Sequence, residues 1–258
     1  MKNTRRIPTI VAAVCLVAIL SAAQSLQAEV ITLASVLDAP HVESLEEALS
    51  AQGKTLTAAD DLVLIGRFNT TARDQGAGGL ICANLEIRSR SNSPKDLGAL
   101  FLQASPLTVE DTINIEAGTL TKNTRSLKFQ ALRLGRSGCL EVIINPGKAS
   151  GDSLDCAQGS SLIFKLFDET SLSTLESPGY CALNLSGDAS FANGSRVILQ
   201  FLKDAPPQAI APGQYLLVKS GSITGAPELA VKIGSEAVPN DRFSLRQEEG
   251  NLLLQVGP

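Results

Sequence analysis

The sequence predicts an all-β chain, read as a parallel β-solenoid (β-helix) with a short N-terminal capping helix. Three observations predict it. Short apolar-rich segments follow one another with a single helix signal among them. Turn-forming residues separate them, at Ser93-Pro94, Asn145-Pro146-Gly147, Ser186-Gly187-Asp188 and Asn193-Gly194. The segments also begin at irregular steps of roughly 15 to 25 residues, the scale of one solenoid coil. A β-sandwich is the alternative. Some segments alternate cleanly, as a half-wet sheet requires, whereas residues 162–167 are apolar on both faces apart from Lys165.

Residues 1–28 read as a secretory signal peptide. Lys2, Arg5 and Arg6 form a positive start, and an unbroken apolar run over 10–20 follows, with small and polar residues after it. The run is short for a membrane span, so no stable transmembrane segment is expected after processing. Cleavage is expected after Ala28, with Ala23 and Ser25 as alternative ends. The protein is therefore expected outside the cell, at its surface or retained in a periplasm.

Residues 29–57 read as a capping segment. The stretch D-A-P-H-V-E-S-L-E-E-A-L-S-A-Q-G (38–53) carries the helix signal: Asp38 as N-cap, Pro40 in the first turn, Gly53 as the stop, and Val42, Leu45 and Leu49 on one face. The body, 58–203, reads as strands at 62–68, 79–87, 99–104, 112–115, 126–134, 139–144, 161–167, 180–185 and 196–202. Residues 204–258 read as a closing β segment.

That closing segment carries a resemblance. A-P-G-Q-Y-L-L-V-K-S-G-S-I-T-G (211–225), R-F-S-L (242–245) and G-N-L-L-L-Q-V (250–256) give the pattern G-x-Y-x-L, then Gly and I-x-G, then G-x-L-x-L-x-V. The matching positions are Gly213, Tyr215, Leu217, Gly221, Ile223, Gly225, Phe243, Leu245, Gly250, Leu252, Leu254 and Val256. The pattern resembles the C-terminal part of exported bacterial β-solenoid proteins with autotransporter-associated β-strand repeats, and of autotransporter passengers. The resemblance covers about 50 residues and includes neither a translocator barrel nor a sorting helix. It implies a surface or secreted scaffold without catalysis, and not self-transport.

Removal of residues 1–28 takes three positive charges and no acid, so the formal charge of −4 becomes −7. An acidic exported chain has little electrostatic reason to bind nucleic acid. With no Trp and only two Tyr, the aromatic platforms that stack on sugar rings are scarce. Cys82, Cys139, Cys156 and Cys181 remain after processing, and either disulfides among them or buried free thiols fit an exported β core. No C-x-x-C pair occurs and the single histidine is His41, so neither a metal site nor a cofactor is expected.

G-D-S-L at 151–154 spells the signature of a family of serine esterases. Catalysis there needs Ser153 beside a histidine and an oxyanion hole. His41 lies in D-A-P-H (38–41), a literal Asp-x-x-His, but it precedes Ser153, and helices do not alternate with the strands. The segment is therefore expected to be a Gly/Asp/Ser turn between coils. The run T-K-N-T-R-S-L-K-F-Q-A-L-R-L-G-R (121–136) contains no acid. Its Lys128, Arg133 and Arg136 are the candidate contacts for an anionic polysaccharide or other cell-surface component. A polysaccharide lyase or hydrolase is the enzymatic alternative, needing carboxylates that converge on one face. The adjacent pairs Asp60-Asp61, Glu110-Asp111 and Glu248-Glu249 do not converge by spacing, because neighbours on a strand point opposite ways. The expected role is thus structural or adhesive, without catalysis.

Overall fold

A computed structural model describes residues 28–35, 42–70, 79–91, 97–103, 106–123, 126–143, 148–166, 183–202 and 207–258. Strand makes up 64% of it and the one helix is short, so the chain is mostly β, built as two largely parallel sheets. Successive passes of the chain add strands to three panels, the first pass carrying the helix instead of a strand of the third, and stacking of the passes makes the sheets.

The first panel runs through β1 (Val30–Ala34), β3 (Asp61–Ile65), β6 (Asn84–Arg88), the first halves of β9 (Thr112–Lys122) and β11 (Ala131–Ile143), then β13 (Ser153–Cys156), β16 (Asp188–Phe191) and β19 (Ser222–Thr224). The second takes β2 (Glu43–Ser44), β4 (Arg67–Thr70), β7 (Gly98–Leu102), the later halves of β9 and β11, then β14 (Ser161–Leu166), β17 (Arg196–Phe201) and β20 (Glu228–Ile233). These two panels share one 15-stranded sheet. The third, β5 (Leu80–Cys82), β8 (Leu107–Val109), β10 (Ser126–Lys128), β12 (Lys148–Gly151), β15 (Leu183–Leu185) and β18 (Gly213–Lys219), supplies six strands of a separate 8-stranded sheet. All these neighbours pair in parallel. Antiparallel pairing enters at the C-terminal end, where β23 (Asn251–Val256) pairs with β18 and with β22 (Phe243–Glu248), and β21 (Glu236–Val238) folds back on β20.

Alternation within each strand stacks like on like across passes. One inward column reads Leu33, Leu64, Ile87, Ile115, Leu134, Cys156, Phe191. Another, on the second panel, reads Phe68, Leu100, Leu120, Leu140, Leu162, Val197. Every member is buried, and a fully buried side chain of this size contributes about 1.5–3 kcal/mol.

A column of backbone hydrogen bonds runs along the corner between the third and first panels. Asp60 O accepts from Ala83 N (2.8 Å), Ala83 O from Asp111 N (2.9 Å), and Asp111 O from Gln130 N (3.0 Å). The column continues from Gln130 O to Asp152 N (2.8 Å), Asp152 O to Gly187 N (2.8 Å) and Gly187 O to Gly221 N (2.6 Å). Seven passes are thus joined by peptide groups that a corner would otherwise leave unpaired. At the junction of the first two panels the passes approach so closely that side chains do not fit. A Cβ on Gly118 (φ +141°) would lie 2.2 Å from Gly98 O, and one on Gly138 would lie 2.2 Å from Ile115 O.

Several boundaries differ from the sequence reading. The helix α1 is Leu45–Ala51, not 38–53, and its N-cap is Ser44, whose hydroxyl accepts from Glu47 N at 3.2 Å. Glu43 and Ser44 are drawn into strand pairing with Phe68 and Asn69, so the helix starts only after them. Ser44 and Glu47 form the Ser-x-x-Glu capping pattern. Asp38, Pro40 and His41 lie outside the described residues. Gly53 ends the helix as expected, at φ +63°, and Leu45 and Leu49 are buried. The segments 62–68, 79–87 and 126–134 each break into two strands at a corner, at Gly66, Ala83 and Phe129-Gln130. G-D-S-L was expected to be a turn. It is two strand ends, Gly151 closing β12 and Ser153 opening β13, with Asp152 alone at the corner.

Candidate functional site

The parallel register of the third panel lines up outward side chains from four successive passes. Lys128 lies beside Ser150, Ser150 beside Asn184, and Asn184 beside Lys219. Neighbouring strands are about 4.8 Å apart, so the two lysine backbones stand roughly 14 Å from each other. The row borders a groove of about 610 Å³ whose other wall is the corner column at Asp152, Ser186 and Gly221. Phe129 and Gly151 also line it.

The walls are fixed by short hydrogen bonds. Ser186 Oγ donates to Asp152 Oδ1 at 2.6 Å, and Ser220 Oγ lies 2.7 Å from Gly250 O. Lys128, Asn184, Ser186 and Lys219 remain exposed. The groove thus presents two ammonium groups, an amide and hydroxyls against one carboxylate, a locally positive strip on an acidic chain. That set can bind anionic and hydroxyl-rich groups, and it contains no histidine or thiol.

The structure separates the cations of the 121–136 run, because that run turns corners. Lys128 lines the groove. Arg133 projects from the first panel, between Asn114 and Asp155, and Arg136 sits exposed at the bulge in β11, where the register shifts between Leu134 and Ser137. Lys122 turns inward between Leu102 and Val142 at 1% exposure. Burial pushes its amine down to about 8. Lys128, Arg133 and Arg136 thus do not share one face, and Lys219, which completes the row with Lys128, lies outside the 121–136 run. Its signal is spatial register, which no local pattern in the chain carries.

Ser153 begins β13 half-buried, with Ala131 as a ladder neighbour and its peptide N donating to Gln130 O at 2.9 Å. The only histidine of the chain, His41, lies outside the described residues. Acids near the corner are tied to the next pass: Asp155 accepts from Ser190 Oγ (2.5 Å) and Asp188 from Ser222 Oγ (2.7 Å), as Asp152 does from Ser186. They serve as rungs between passes.

Cys82, Cys139 and Cys156 are free thiols, and Cys181 lies outside the described residues. Cys82 and Cys156 point into the core; Cys139 faces outward beside Thr119 and Ser161. Burial pushes all three thiols up to about 12, the reverse of an activated nucleophile. Among the described residues no group of three or more His, Cys, Asp or Glu is placed to hold a metal. No helix among them is long and apolar enough to cross a membrane.

No family model, curated protein or solved structure matches the chain.

Proposed function

We propose that the protein is an exported, non-catalytic β-solenoid that acts as a structural or adhesive element at the cell surface, outside the cell or in a periplasm. The signal-like residues 1–28 support export. Parallel pairing from pass to pass and the corner column from Asp60 to Gly221 favour a solenoid over a sandwich, whose sheets are antiparallel. The antiparallel β18–β23–β22 unit lies at the segment that resembles autotransporter passengers, and α1, with Leu45 and Leu49 buried beside the first strands, supports the reading of a cap at the other end.

The row Lys128–Ser150–Asn184–Lys219 carries the adhesive half of the reading. A ladder fixes its spacing before any ligand arrives, which lowers the cost of ordering on binding. An acidic, hydroxyl-rich polysaccharide is the partner whose chemistry fits. A lyase or hydrolase on the same scaffold is the second reading, and it would need carboxylates free to act in the groove.

Immobilised acidic polysaccharide tests the proposal. The purified mature protein should be retained, should elute as salt rises, and should release no oligosaccharide. Failure to bind removes the adhesive reading. Release of unsaturated or reducing-end products would turn it to the lyase or hydrolase.

A further inference from the structure

Glu29 is fixed at its nitrogen, its carbonyl and its side chain. Its peptide N donates to Asp60 Oδ1 at 3.1 Å, its carbonyl accepts from Asp61 N at 2.8 Å, and its carboxylate pairs with Lys54 Nζ. Asp60 is only 6% exposed. Its other oxygen accepts from Thr57 N (2.8 Å) and Thr57 Oγ1 (2.6 Å). These bonds, led by the Thr57 hydroxyl and joined by Glu29 N and Lys54, hold the carboxyl below the usual range although burial opposes them. A buried carboxylate is therefore aimed at the nitrogen of one particular residue, immediately after an exposed Ala28.

Of the three cleavage points legible in the sequence, only the bond after Ala28 would place a new charge there. We infer that the mature chain begins at Glu29, and that the α-ammonium freed by processing forms an ion pair with Asp60 that fastens β1 to the first pass. Hydrolysis adds water across the Ala28–Glu29 bond. The carboxylate leaves with Ala28, and the amine takes up a proton to become the ammonium. One neutral N–H donor is thereby replaced by a charged group with three, and charge-assisted bonds are roughly twice as strong as neutral ones. Charges near it among the described residues include Lys54, already paired with the Glu29 side chain, and Asp61, which accepts from Asn84 Nδ2 at 2.8 Å. Asp60 thus makes the ammonium's closest ion pair. Processing and tight docking of the edge strand become one event.

The inference rests on the export reading, and the test separates the two. The full chain is produced in an exporting host and the N-terminus of the released protein is read by mass spectrometry. A start at Glu29 is expected. A start at Gln24 or Leu26 overturns the inference and leaves export standing; an unprocessed chain inside the cell overturns both. In the Glu29 form, titration by amine-reactive labelling should place the α-amine at least one pH unit above its ordinary value of about 7.7–8.0. Labelling below that range should be about tenfold slower than in an Asp60→Asn variant. A form extended by two residues before Glu29 should melt lower than the Glu29 form, and Asp60→Asn should remove most of that difference. An ordinary amine titration, or an undiminished difference in Asp60→Asn, overturns the ion pair.

Discussion

The ring of Phe129 lies against the backbone of Gly151, so close that a Cβ on Gly151 would fall 2.1 Å from ring atom Cε2. The contact locks two successive passes together at the corner, where Gly151 O also accepts from Ser186 N at 2.9 Å. The glycine of G-D-S-L is thereby explained by packing. Gly151→Ala should cost about 1–3 kcal/mol, the range for forcing extra volume into a packed site. Phe129→Leu in that background should recover part of the loss. Urea unfolding of the two variants and the wild type checks it; equal losses with and without Phe129→Leu would mean the ring is not the obstacle.

Ser153 opens a strand, and its backbone takes part in the corner. Fluorophosphonate should leave the mature protein unlabelled, and Ser153→Ala should change stability by no more than about 0.5 kcal/mol. Labelling that disappears in Ser153→Ala would make it a nucleophile and restore the esterase reading.

The sequence makes the strands legible wherever alternation is clean, as in Leu85 and Ile87 around Glu86. It hides the corners. Phe129 and Gln130 stand between two runs of good strand formers, and nothing local says that the chain turns there; the turn is held by hydrogen bonds that Phe129 N donates to Ser150 O and Gln130 N to Asp111 O, one pass away on either side. The register step varies from 19 residues (Thr112 beside Ala131) to 35 (Leu154 beside Ala189), so a search for a fixed period finds little. One repeat is nevertheless written in the chain. Ala157-Gln158-Gly159-Ser160 and Ala192-Asn193-Gly194-Ser195 make the same turn, with both glycines at φ +80° and Ser N bonded to Ala O at 3.1 and 3.0 Å. The Ala-x-Gly-Ser step before β14 and again before β17 is the local signal for the pass length there.

The groove row is legible in half. Lys128 reads as outward from its own strand, but its partner Lys219 joins it only through two intervening strands. Lys128→Glu and Lys219→Glu should each weaken retention on acidic polysaccharide by about tenfold, ~1.4 kcal/mol. The double variant should lose most of the salt-sensitive binding. Arg133→Glu and Arg136→Glu should change little, since neither side chain lines the groove. Binding lost equally in all four would point to net charge instead of a site.

Lys122 supplies a pH signature of the interior. Burial between Leu102 and Val142 disfavours the charge and pushes its folded amine down to about 8, below the ordinary 10.5. Below pH 8 both folded and unfolded chains carry the proton, and the folded state bears the cost of burying that charge. Between about 8 and 10.5 the unfolded chain binds more protons than the folded one, so this residue makes stability rise with pH. The buried thiols act in the opposite sense at the alkaline end, since their folded values lie near 12. A difference against Lys122→Met isolates the lysine. The variant should be the more stable protein at pH 7, by an amount that shrinks by roughly 3 kcal/mol as pH approaches 10.5. Chemical unfolding of both proteins at a series of pH values measures that gap, and a gap that stays constant would mean the Lys122 amine titrates as it does in water.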